Sequence, residues 1–108
     1  MNVQPFSANF SKTKSILASS TSASATLDAT DVLSTANGGN DVMRIVNSGT
    51  KTAFIRWGVG AQTALTTDMP ILGGVTEVFT KSTATDTVAA ITSGADTTTI
   101  YITCGEGQ

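Results

Sequence analysis

Apolar and polar residues alternate with a period of two through much of this chain, the spacing of strands with one face buried. The clearest stretches are 42–47 (VMRIVN) and 52–59 (TAFIRWGV). In the first, Met43 and Ile45 alternate with Val42, Arg44 and Val46. In the second, Ala53, Ile55 and Trp57 share one face and Phe54 and Arg56 the other. Asn47-Ser48-Gly49 between them carries turn chemistry and predicts a hairpin. Further strands are predicted at 12–18, 22–27, 75–80, 87–92 and 98–104, with Met69 to Leu72 returning to the core. Residues 28–41, with Asn37-Gly38-Gly39, read as a long loop, as do the polar residues 81–86. Ser93-Gly94-Ala95-Asp96 turns between the last two strands, and Gly105 to Gln108 reads as a loose tail. No stretch keeps a 3.6-residue period for three turns, so helices are not expected.

Roughly seven to eight short strands at this spacing predict an all-β fold, an antiparallel, jelly-roll-like β-sandwich over residues 12–108. The expected core is Ile16, Leu27, Met43, Ile45, Ile55, Trp57, Val78, Ile91, Ile100 and Ile102. Residues 1–11 hold Pro5, Phe6 and Phe10 among polar neighbours. They read as an extended N-terminal arm without a strand partner, and Phe6 and Phe10 become candidate contact residues.

Composition sharpens this picture. The chain has 108 residues, the size of one domain. Only 13% of them are charged, against about 25% in ordinary soluble domains, and Thr, Ser and Ala fill the vacated places. The six Lys and Arg are scattered and the net charge is −2, which argues against a nucleic-acid surface. No segment approaches the roughly 20 apolar residues of a membrane helix. Met1 to Pro5 has neither the basic nor the apolar part of a secretory signal, so synthesis in the cytoplasm without export is expected. With one cysteine, Cys104, no intrachain disulfide forms.

The chain has no histidine. That removes the commonest general base and the commonest transition-metal ligand, and rules out Ser-His-Asp and Cys-His sites. Asp28 with Asp31, or Asp68 with Glu77, would be the carboxylate pairs to consider, but each sits where Asp caps a turn. Asp28, Asp31, Asn37, Asn40 and Asp41 offer oxygen ligands without the pattern of a calcium loop. Gly58-Val59-Gly60 lacks a third glycine and a following helix, so it is no dinucleotide loop. Cys104 reads as a small apolar residue at a strand end. The expectation is therefore a protein that is not an enzyme and carries neither cofactor nor metal.

One resemblance adds to this. An Arg-Ile-Val-Asn strand at 44–47, Ala53-Phe54-Ile55-Arg56-Trp57-Gly58, Thr67-Asp68-Met69-Pro70, Val75 to Thr80, Val88-Ala89-Ala90-Ile91 and Gly105-Glu106-Gly107 resemble small proteins encoded among the structural genes of tailed bacteriophages. The likeness covers about residues 42–107, with Gln4-Pro5-Phe6 a further weak match. The matching motifs are structural, so no active site comes with them. Such modules often carry a proline where this chain has Gly73-Gly74, which implies a looser turn here. The group is similar to β-sandwich virion accessory proteins, among them head decoration, or cement, proteins. The resemblance implies a virion structural protein that binds and stabilises the head shell. It also implies location in the virion and the major capsid protein as partner. Assembly as a homo-oligomer is expected on separate grounds, because an open sandwich with so little charge leaves its edge strands poorly guarded. The alternative is a receptor- or carbohydrate-binding module of a head or tail fibre, which would use exposed aromatics such as Phe6, Phe10 and Tyr101.

Overall fold

The computed structural model describes residues 6–29 and 41–107. They form nine strands: β1 (Phe6–Ala8), β2 (Lys14–Ala18), β3 (Ala23–Thr26), β4 (Val42–Asn47), β5 (Ala53–Gly58), β6 (Met69–Ile71), β7 (Thr76–Thr80), β8 (Thr87–Thr92) and β9 (Thr98–Gly107). All pairing is antiparallel, in two sheets. The larger sheet runs β1-β9-β4-β7, with β2 beside β1 on the same edge of β9; the smaller runs β3-β8-β5-β6. The described residues are all-β, and the two sheets meet face to face in a β-sandwich-like arrangement. From β2 onward every connection except β5 to β6 passes from one sheet to the other.

Alternation decides which side chains enter the core. Ile16 and Ala18 from β2, Met43 and Ile45 from β4, and Ile100, Ile102 and Cys104 from β9 face Ala53 and Ile55 of β5, Ile71 of β6, and Val88 and Ala90 of β8. Leu27, just past β3, closes one side. Two expected core residues sit elsewhere, and a third packs against the core without being enclosed. Val78 is half exposed, because it pairs with outward-facing Arg44, while its neighbour Phe79 pairs with Met43 and turns in. Ile91 pairs with Phe54 on the outer face of the smaller sheet and is only partly buried. Trp57 faces inward but is also only partly buried; its ring packs against Phe79 with centroids 5.1 Å apart.

The expected hairpin between 42–47 and 52–59 does not form. β4 pairs with β7 and β9, whereas β5 pairs with β6 and β8, so residues 48–52 carry the chain between sheets. Asn47 explains the switch, because its side chain is fully buried and its amide holds several connections together. Its Nδ2 donates to the carbonyls of Lys51 (2.8 Å) and Ile71 (2.9 Å), and its Oδ1 accepts from the Gly49 amide (3.2 Å). Its backbone carbonyl accepts from Gly74 and its backbone amide donates to Val75. The Gly73-Gly74 turn is therefore tied rather than loose. A side chain at Gly73 would overlap the Thr50 backbone, and Gly74 has φ of 77°.

The ends of the chain also depart from expectation. Phe6–Ala8 is a strand rather than a free arm, paired with Gly105 to Gly107, and the Asn9 amide extends the ladder to the Cys104 carbonyl. The stretch expected to be a loose tail is thus the second half of β9. Its partner lies about as far away in sequence as the chain allows, so no local pattern announces the pairing.

Candidate functional site

Three surface features are candidates for function. The first is the outer face of the larger sheet. Alternation places Ser15 and Leu17 of β2, Thr99, Tyr101 and Thr103 of β9, Arg44 and Val46 of β4, and Thr76, Val78 and Thr80 of β7 on it. Arg44 is the only charge among them. The register sets Ser15, Tyr101, Val46 and Thr76 in one row across the sheet. Leu17 and Val78 lie on the diagonals of that row. Leu17 is 63% exposed, Val78 50% and Tyr101 42%, so an apolar band crosses a Thr-rich, almost uncharged face. Thr13 and Thr103 hydroxyls bond at 2.7 Å along its margin.

The second feature is the β5–β6 connection, a strap over the outer face of the smaller sheet. It leaves β5 at Gly58, and the Gly60 amide donates to the Asp86 carboxylate (2.9 Å). It then reaches the far edge, where the Ala64 amide donates to Ser22 Oγ (2.8 Å) beside β3. Between these anchors lies β8, whose Ala89 is fully buried although it faces away from the core. The return is fixed by Asp68. One carboxylate oxygen accepts from the Leu65 amide (2.7 Å), and the other from Arg56 Nε (3.2 Å) and Nη2 (3.0 Å). These bonds, that of Leu65 first and then that of Arg56, hold the Asp68 carboxyl below its ordinary range. A shallow notch of about 290 Å³ opens where β6 begins, lined by Ile55, Arg56, Trp57, Asp68 and Met69.

The third is the turn between β1 and β2. Phe10 is 87% exposed there, and Ser11 takes a left-handed φ of 66°. Phe6 lies in β1, whose ladder to β9 is described above.

The other residues singled out from sequence do not converge. Asp28 is paired with Lys14 (2.9 Å) and more distantly with Lys12 (3.9 Å). The hydrogen bond from Lys14, aided by both positive charges, lowers its pKa. Asp31, Asn37 and Asn40 lie outside the described residues. Asp68 is engaged by Arg56 in the smaller sheet's strap, while Glu77 sits on β7 of the larger sheet. Cys104 is buried in the core. Among the described residues no three His, Cys, Asp or Glu are grouped to hold a metal ion, and no helix is long and apolar enough to cross a membrane. Sequence reasoning gave 60–70 only as a connection and missed the strap's course, because its buried residue Ala64 is too small to stand out. It also missed the apolar band, which exists only once β2, β9, β4 and β7 are placed side by side.

No family model matches the chain, and neither a curated protein nor a solved structure matches it.

Proposed function

We propose that this chain is a virion structural protein of a tailed bacteriophage, a decoration protein that binds the head shell without catalysis. The observation that carries the reading is the broad, nearly uncharged outer face of the larger sheet, with Leu17, Tyr101 and Val78 exposed on it. Such a face needs few long charged side chains to be ordered on contact. Repeated over many copies on one shell, weak contacts of this kind add up through avidity. The likeness of residues 42–107 to small phage structural-gene products points the same way. So do the strand orders β2-β9-β4-β7 and β3-β8-β5-β6, which fit an eight-stranded jelly roll wound from two Greek keys, an architecture used in capsid proteins. On this reading the partner is the major capsid protein, and exposed Phe10 supplies a second contact from the β1–β2 turn.

The test is binding of the purified chain to particles assembled without it. The wild type is expected to bind and to raise the temperature at which the shells open. Tyr101→Glu is expected to fold with an unchanged thermal midpoint and to lose binding. Failure of the wild type to bind, or equal binding by Tyr101→Glu, would overturn the reading.

A second reading rests on the notch beside Trp57. An aromatic edge next to an Arg–Asp pair is the chemistry of a shallow sugar site, and it would suit a fibre module. Glycan-array binding that disappears in Trp57→Phe would favour it over shell decoration.

A further inference from the structure

The two sheets leave β1 with β2, β7, β3 and β6 at their edges. An edge strand exposes unpaired backbone groups that invite another strand unless something guards them. Three of these edges are guarded or short. β6 has three residues and Pro70 at its centre, which has no amide to offer. β3 has four residues, and the strap is anchored beside it at Ser22. β2 opens with Lys14, held with Lys12 around Asp28. β7, with the sequence Thr-Glu-Val-Phe-Thr, has neither proline nor lysine, and among the described residues it pairs with β4 alone.

The ladder fixes which groups β7 turns outward. The Asn47 amide donates to Val75 and the Lys81 amide donates to Asp41, while Ile45 is opposite Glu77 and Met43 opposite Phe79. Odd-numbered positions therefore bond to β4. The amides and carbonyls of Thr76, Val78 and Thr80 point to the open edge.

We propose that β7 is a self-association edge, where two copies pair antiparallel about a two-fold axis through Val78 and fuse their larger sheets into one. In that register Val78 meets Val78 of the second copy and Thr76 meets Thr80, so all three outward positions form bonded pairs. Val–Val and Thr–Thr are favourable cross-strand partners. Glu77 falls opposite Phe79, so no like charges meet directly; moving the axis to Glu77 would set two carboxylates face to face. An isologous contact of this kind closes at two copies and leaves no new edge. The two apolar bands would then lie on one continuous face of double width. The pairing does not depend on the shell-binding reading, because it is a property of the free chain.

The two Glu77 residues become diagonal neighbours, their backbones about 7–8 Å apart. Salt screens charges at that separation, with a Debye length of about 8 Å at 0.15 M. Light scattering should therefore show a dimer that tightens as salt rises. Val78→Lys places a guard at the axis and is expected to give a monomer with an unchanged far-UV spectrum. Val78→Cys, treated with a short bis-maleimide, is expected to cross-link to its own copy. Thr76→Cys should not, because each Thr76 faces a Thr80. A free chain that is monomeric at high concentration would overturn the proposal. So would cross-linking as rapid at Thr76→Cys as at Val78→Cys, or a dimer that weakens with salt. Pairing of β7 only with a strand of another protein would overturn it as well.

Discussion

Thr98 Oγ1 donates to Asn47 Oδ1 at 2.5 Å, joining the start of β9 to the end of β4 across 51 residues of sequence inside the protein. With the bonds to Gly49, Lys51 and Ile71, every polar atom of the Asn47 amide that can pair is paired. Asn47→Ala would take a partner from two carbonyls, one amide and one hydroxyl, of which the Ile71 carbonyl and the Thr98 hydroxyl lie in the buried interior. Each such group costs about 1–3 kcal/mol, some of it recovered by relaxation, so a loss of about 3–4 kcal/mol is expected. Thr98→Val removes one donor and should cost about 1–2 kcal/mol. Urea denaturation of the two variants, and of the double variant, measures both terms and their coupling.

Gly73 gives a second test of the same end of the sandwich. A methyl group there meets the Thr50 backbone, which has no flexible end to swing aside. Gly73→Ala is expected to cost about 2–3 kcal/mol, in the range of overpacking. Gly60 has a left-handed φ of 79° but open space around it, so Gly60→Ala should cost only about 1–2 kcal/mol of backbone strain. Thermal melts of the pair would separate steric closure from conformational preference.

Asp68 makes the strap sensitive to acid. Its folded pKa is lowered, so the stabilisation it gives is complete above the ordinary carboxyl value of 3.8 and is lost as pH falls through the lower folded value. Hydrogen exchange at the Leu65 and Ala64 amides, corrected for intrinsic rate, should accelerate in that acid window. Asp68→Asn should show the fast exchange already at neutral pH. Unchanged protection in the variant would mean that the strap is held by Ser22 and Asp86 instead.

Trp57 reports on packing between the sheets. A fully enclosed Trp costs roughly 3–5 kcal/mol when cut to Ala; because Trp57 keeps an exposed edge at the notch, about 2–3 kcal/mol is expected. Phe79→Ala removes the ring that Trp57 leans on. It should shift the Trp57 fluorescence maximum to longer wavelength while the chain remains folded.

The strands themselves were legible wherever branched or aromatic residues alternate with polar ones. Residues 42–47 and 87–92 appear with those bounds as β4 and β8. What alternation could not convey was parity in short Thr-rich strands. In 75–80 both Val78 and Phe79 are apolar, and only the pairing with Met43 selects Phe79 for the interior. Nor does Asn-Ser-Gly state whether a chain turns back within a sheet or steps across to the other; the burial of Asn47 decides that here. The β1–β9 pairing rests on backbone bonds between Phe6–Ala8 and a Gly-Glu-Gly stretch, which leave no side-chain signature. The surface candidates were legible only in part. Phe10 and Tyr101 were expected to be exposed and are, but the row joining Tyr101 to Val46 is a product of register.

The place of β9 in the larger sheet has a kinetic consequence. It is hydrogen-bonded on both sides, to β1 and β2 on one and to β4 on the other, yet it is the last strand of the nine to be synthesised. Until Thr98 and its successors have left the ribosome, β2 and β4 have no strand between them, and the buried faces of Ile16, Met43 and Ile45 wait uncovered. Folding must then close loops spanning most of the chain at once, and contacts so distant in sequence make for rates in the millisecond-to-second range rather than microseconds. The vulnerable interval lies before β9 arrives, when β4 and the open β7 edge are the strands most available to a neighbouring nascent chain.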